Sequence, residues 1–187
     1  MPVREVLPFI VEDGSGRVDA TAYCDLAFCE AYADRILDDR KTAWIAADTL
    51  TKQQCLVQAT ATFDDYVYFP QGYTPYRNRR LTRFQALQFP RVGLVDEDGF
   101  LINERSVPLF VKNCVSMLAV TFASTDLLAE PIRGVKSASV GPLSVTFSEN
   151  YNHQPVAIPR TIRMMVSRFG GKIRGSYGNR SVSVFRS

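Results

Sequence analysis

Two short segments constrain this chain more than any other feature. QALQFPRVG, Gln85 to Gly93, runs straight into the acidic turn Asp96-Glu97-Asp98-Gly99, and VKSASVGPLSVTF, Val135 to Phe147, carries a Gly-Pro pair at its middle. Neither can continue a helix. A proline followed by an arginine and a glycine forces a corner, and a DxDG sequence forms a tight turn because Asp and Gly supply the local hydrogen bonds and backbone angles that turns need. Val135, Val140, Leu143, Val145 and Phe147 flank Gly141-Pro142 with alternating polarity, which predicts a two-stranded hairpin. Helical segments lie around them, so the fold must hold shaped connections between helices.

The helical stretches follow from spacing. Asp25 is placed to cap a first helix in which Leu26, Cys29, Ala33, Ile36 and Leu37 recur on one face, ending near Asp38–Lys41. Trp44 and Ile45 form a short apolar patch after it. Thr51 and Gln54 read as a capping box, Thr51 being the N-cap of a second helix with the stripe Cys55, Leu56, Ala59, Phe63 and Tyr66, finished before Pro70. Pro70 to Phe84 has two prolines, a glycine and four arginines, and reads as a long exposed loop. Pro108 opens a third helix along Val111, Cys114, Val115, Leu118, Ala119 and Phe122. A last helix runs from about Pro159 to Phe169 on Ile162, Met165, Val166 and Phe169, stopped by Gly170-Gly171. The expected fold is mainly α: a small helical bundle with a β-hairpin (about 132–149), a long basic loop and an extended C-terminal tail. Residues 1–171 would form the folded domain and 172–187 the extension.

The length of 187 residues suits one domain with a core that needs no staples. No apolar run of about 18 residues is present, so no membrane span is expected, and the N-terminus does not read as a signal peptide. The four cysteines, Cys24, Cys29, Cys55 and Cys114, lack a CxxC spacing and read as small hydrophobes on helical faces in a reducing compartment. No metal site or cofactor is expected. The acidic turn starts like a calcium loop, but the twelfth position from Asp96 is Val107, where a bidentate Glu is required. No catalytic residues stand out: the single histidine, His153, has no nucleophile elbow near it, and no phosphate-binding glycine motif is present.

Charge is the remaining signal. The net charge is only +3, yet Tyr66 to Leu94 holds no acidic residue while carrying Arg77, Arg79, Arg80, Arg83 and Arg91. From Tyr151 onward there is again no acid, against Arg160, Arg163, Arg168, Lys172, Arg174, Arg180 and Arg186. Arg77, Arg79, Arg80 and Arg83, with Tyr73 and Tyr76, could track a nucleic-acid backbone while aromatics stack on bases, dock on an acidic protein surface, or form a solvated loop. In the tail, Arg174, Tyr177, Arg180, Val182, Val184 and Phe185 are anchors of the kind interfaces favour, and the alternation Ser181–Phe185 could add a strand to a partner's sheet.

Taken in order, AYCDLAFCEAY (Ala22–Tyr32), LVQATATFDDY (Leu56–Tyr66), QALQFPRVG with its DEDG turn, VPLFVKNCVSMLA (Val107–Ala119) and VKSASVGPLSVTF resemble a tailed-phage family. These are the head–tail connector or adaptor proteins, often labelled DnaT-like single-stranded DNA-binding proteins. The resemblance spans about Val11 to Gly170, with Phe89 standing where the family usually has Trp. It implies a structural, non-enzymatic virion protein, made in the host cytoplasm and located at the neck. It also implies a ring of copies, dodecameric in the family, beneath the portal, extending the DNA exit channel. Its partners would be the portal protein, gripped by the C-terminal tail, the tail or nozzle proteins, and DNA in the lumen, with no membrane. The Asp38–Lys41 stretch and the Arg77–Arg83 loop would be opposite sides of the ring contact. The label itself points to an alternative, a single-stranded DNA-binding module.

Overall fold

The computed structural model describes residues 8–37, 39–70, 78–125 and 158–174, together with the backbone of 137–140 and 143–146. Among these are five helices and three two-stranded antiparallel ribbons, a mixed fold with a helical majority. The helices are α1 (Leu26–Ala33), α2 (Arg40–Ala46), α3 (Thr49–Tyr66), α4 (Leu109–Ser124) and α5 (Arg160–Ser167). The strands are β1 (Val67–Tyr68), β2 (Arg79–Arg80), β3 (Arg91–Val92), β4 (Ser137–Val140), β5 (Leu143–Thr146) and β6 (Lys172–Ile173).

The centre is α4. Phe110, Val111 and every residue from Cys114 to Thr121 are buried, and α1, α2, α3 and α5 all pack against it. A helix apolar on nearly every side must be enclosed, and α4 carries one charged side chain, Lys112, which lies over the Phe28 ring at 5.7 Å. Each fully buried Leu, Val or Phe here contributes about 1.5–3 kcal/mol.

The ends of the elements correct several expectations. Asp25 caps α1 as its sequence suggests, accepting from Phe28 N–H at 2.7 Å. The helix stops at Ala33, however, and Leu37 is fully exposed instead of extending the stripe. The patch at Trp44 is a helix of its own, with Trp44 buried and Ile45 out in solvent. Asp48, not Thr51, is the N-cap of α3: its carboxylate accepts from Thr51 N–H at 2.8 Å. Asp sits as well as Thr at a cap, and the box reading overlooked the acid three residues earlier. The 78–84 part of the supposed open loop is ordered: β2 pairs with β3, Arg79 opposite Val92 and Arg80 opposite Arg91. Cys24 precedes α1 instead of lying on a helix, and all four cysteines are buried and free. The expected hairpin is present, with Val140 opposite Leu143. Pairing of Lys172–Ile173 with β1 carries the folded unit past Gly171.

Glycines set two of these connections. Gly14, at φ +100°, lies so close to the 105–106 backbone that a Cβ would sit 2.3 Å from the Arg105 carbonyl oxygen. The same turn is closed by Glu12, whose carboxylate accepts from the N–H groups of Gly14, Gly16 and Arg17, each at 2.9 Å. Gly171 lies against Val166 and Phe69, where a Cβ would come within 2.2 Å of a Val166 methyl. That close approach lets the chain leave α5 and enter β6.

Candidate nucleic-acid interface

The two ribbons beside the helices build one cleft. After α3, β1 carries the half-buried Tyr68 to the cleft and leads to the buried Phe69, and β6 pairs with β1 so that Tyr68 faces Lys172, two residues before Arg174. The Arg174 N–H donates to the Tyr66 carbonyl at 2.8 Å, and its guanidinium lies 5.9 Å from the Tyr68 ring centre. The β2–β3 ribbon brings Arg79 and Arg80 alongside, and Thr82 and Arg83 close the rim. The result is an open cleft of about 510 Å³ lined by Tyr68, Phe69, Thr82, Gln88 and the five arginines Arg79, Arg80, Arg83, Arg91 and Arg174. Among the described residues, no acidic side chain lines it.

Arg91 is the least expected member. It is buried, 9% exposed, and its guanidinium donates to the Asn78 side-chain oxygen at 2.8 Å, the Asn78 carbonyl at 2.6 Å and the Gln88 carbonyl at 3.4 Å. It also lies 5.8 Å from the centres of both the Phe69 and Phe89 rings. Burial pushes its pKa down, yet a guanidinium stays charged in proteins. Its bonded partners are neutral oxygens, so the charge is held by dipoles and left facing the cleft. None of Arg79, Arg80 and Arg83 forms an ion pair among the described residues.

Behind the wall lies a polar network that fixes the Gln85–Arg91 corner. The Gln85 side chain accepts from Thr82 N–H at 2.8 Å and donates to the carbonyls of Leu87 and Pro90 at 2.8 and 3.1 Å. The Phe89–Pro90 peptide is cis. Phe89 is fully buried among Tyr23, Phe63, Phe69 and Phe110, with ring centres 5.2–6.4 Å away. Asp64 of α3 accepts from Tyr23 O–H at 2.6 Å and from Gln88 N–H at 2.9 Å, and the Tyr23 oxygen accepts from Phe89 N–H at 3.1 Å. Burial raises the Asp64 pKa to about 6 and pushes the Tyr23 hydroxyl well above its ordinary value.

Of the residues singled out in the sequence, Arg79, Arg80, Arg83 and Arg174 come together here, although the loop and the tail had been assigned to separate contacts. Tyr73, Tyr76, Arg77, Asp38, His153, Tyr177, Arg180, Val182, Val184 and Phe185 lie outside the described residues. Arg91 had been counted only as part of a basic run; Tyr68, Phe69, Gln88, Tyr23 and Asp64 had gone unnoticed. Asp64 did leave a trace: Leu56, Thr60 and Asp64 step four residues along α3, and the first two are fully buried. The acidic turn is structural, since the Asp96 carboxylate accepts from the N–H groups of Asp98 and Phe100 at 3.1 and 2.8 Å. Among the described residues, no group of three or more His, Cys, Asp or Glu is placed to hold a metal ion. No described helix is long and apolar enough to cross a membrane.

The groove between the two ribbons is thus basic, with five arginines in its lining. The chain matches, over residues 7–187, the family described as "Putative DnaT-like ssDNA binding protein", and it belongs to that family. No curated protein and no solved structure matches it.

Proposed function

We propose that this protein is a non-enzymatic, single-stranded-nucleic-acid-binding module that holds the strand's phosphates in the arginine cleft. One observation carries the reading: five arginines converge on a cleft with no acidic side chain in its lining among the described residues. Repulsion between gathered cations disfavours such an arrangement unless an anion relieves it. Tyr68, half-buried beside Arg174, adds an aromatic face of the kind that single strands stack on, while Phe69 is buried behind it. The family's description supports the same reading.

The test is a salt titration of binding to a fluorescent oligothymidylate. Four or five phosphate contacts give a slope of log K against log salt of about −3 for a single strand. The triple substitution Arg79→Ala, Arg80→Ala, Arg83→Ala should flatten that slope by about 2. A strand that does not bind at low salt, or a slope the triple variant leaves intact, ends the proposal.

A second reading, the ring-forming head–tail connector, draws on the sequence resemblance and on one structural observation. Leu37, Ile45, Leu109 and Met164 are large apolar side chains left 57–101% exposed on or beside the helices. Exposed apolar side chains become an interface where they join into one patch that another protein covers. In that reading the partners are neighbouring copies, portal and tail proteins, and the location is the virion neck. The cleft would then face DNA in the channel.

A further inference from the structure

We propose that Asp64 is the charge regulator of the arginine cleft: it fixes Gln88 in the cleft wall and, while ionised, opposes the hold of Arg80 and Arg91 on a bound phosphate. The inference rests on the polyanion reading of the cleft. It concerns a residue that does not line the cleft and touches no ligand, so Asp64 is a positioning residue.

The geometry comes first. Asp64 is held from two sides, by Tyr23 O–H on one carboxylate oxygen and by Gln88 N–H on the other. The Gln88 side chain returns to α3, donating to the Asp64 carbonyl and, at 3.4 Å, to that of Val67. Gln88 therefore cannot leave the cleft wall without breaking its bonds to Asp64. The charged and titratable groups that face this carboxylate are Tyr23 from the segment before α1, Arg80 from β2, Arg91 from β3 and Asp65 from α3 itself. Arg80 and Arg91 both line the cleft. The acid thus stands directly behind the surface that meets the anion, in the field of two of its cations.

Its charge is finely poised. Both bonded neighbours donate, which favours the carboxylate, while burial favours the acid and prevails, placing its titration near pH 6. A phosphate in the cleft adds negative charge on the far side of Arg80 and Arg91. That pushes the carboxyl further toward its protonated form, so binding takes up a proton. Linkage is reciprocal: if the anion raises the affinity for the proton, the proton raises the affinity for the anion by the same factor. Binding must then tighten as pH falls through the Asp64 titration. A single charge acting through a partly wet wall over roughly 10 Å changes affinity by about fourfold.

The experiment uses the full chain and a fluorescein-labelled oligothymidylate at fixed ionic strength. It compares the wild type with Asp64→Asn and with Arg79→Ala/Arg83→Ala from about pH 7.5 to about pH 5. The wild-type Kd should fall about fourfold, and Asp64→Asn should lose most of that dependence. Calorimetry in two buffers of different ionisation enthalpy is run on His153→Gln, which removes the chain's one histidine. Proton uptake that persists there assigns it to the acid, and this arm holds even if Asp64→Asn folds poorly. Parallel pH slopes for wild type and Asp64→Asn, with no uptake in His153→Gln, overturn the inference while leaving the cleft in place. An affinity unmoved by Arg79→Ala/Arg83→Ala overturns the cleft itself, and the inference with it.

Discussion

Tyr23→Phe removes one oxygen and tests whether the core and the cleft share a buried polar joint. Tyr23 is fully buried, and its hydroxyl makes two bonds, donating to Asp64 and accepting from Phe89 N–H. Losing a hydrogen bond to a charged group costs about 1.5–3 kcal/mol, and an unsatisfied buried N–H about 1–3 kcal/mol. Part of this is returned because the hydroxyl itself need no longer be desolvated, which leaves a net loss of about 3 kcal/mol at neutral pH. The pH dependence is sharper than the magnitude. The Asp64 pKa is raised from 3.8 to about 6 in the folded protein. Its contribution is therefore fully present below the unfolded value and is lost as pH rises through the folded one. The Tyr23 bond opposes that loss by favouring the carboxylate. Without it the folded pKa climbs further, so the variant suffers most where Asp64 is ionised. Near pH 4.5 the bond joins neutral groups and is worth about 1 kcal/mol less. With a urea m-value of about 2 kcal/mol/M, the midpoint should drop by about 1.5 M at neutral pH and by about 1 M in acid. Equal drops at both, or a larger one in acid, would refute the placement of an ionisable Asp64 against this hydroxyl.

Three further outcomes follow from the packing. Phe89→Ala should cost about 4 kcal/mol or more, because the ring is fully buried and meets four others, three of them edge-on; a loss below about 1 kcal/mol in urea unfolding would contradict that. Gly171→Ala should destabilise by about 1–3 kcal/mol, since its methyl would overlap Val166 and Phe69, and by shifting Phe69 it should also weaken oligothymidylate binding. The thiols of Cys29 and Cys114, pushed up by burial to about 12, should resist a disulfide reagent in the native protein and react once urea unfolds it; fast native labelling would show those helices to be open.

Much of the helical scaffold was legible because helices are written locally. Asp25, Pro108, Pro159 and Gly170 mark their own boundaries, and the 3.6-residue stripe of α4 names its core. The cleft was legible only in its charges. Arg79 and Arg174 are 95 residues apart in the chain, and no local pattern says that a two-residue strand after α3 will pair with a two-residue strand after α5. Such pairs are too short to show alternation, and their register is set by Gly171 and Phe69 meeting in space. For the same reason the sequence places the end of that helix only somewhere before Pro70 and singles out neither Tyr68 nor Phe69. Asp64 was hidden differently: one acid on a helix is ordinarily solvated, and only the arrival of Tyr23 and the Gln88 corner from elsewhere makes it buried.

The exposed apolar side chains separate the two readings of function. Leu109 is 64% and Met164 57% exposed, so replacing both by Gln removes little buried area and should leave the melting behaviour of an isolated copy unchanged within about 0.5 kcal/mol. Neither residue lines the cleft, so strand binding by a single copy should also be untouched. If neighbouring copies or a portal surface cover these side chains, the same change removes about 1.5–3 kcal/mol for each from every contact. A closed ring repeats one heterologous contact around its circumference, so the loss recurs at each junction. Sedimentation of the purified protein reads the difference directly. A wild-type ring that falls to single copies in the Leu109→Gln/Met164→Gln variant, with melting preserved, favours the connector. A wild type that sediments as single copies while binding oligothymidylate would leave the cleft as the working surface and remove the structural argument for a ring.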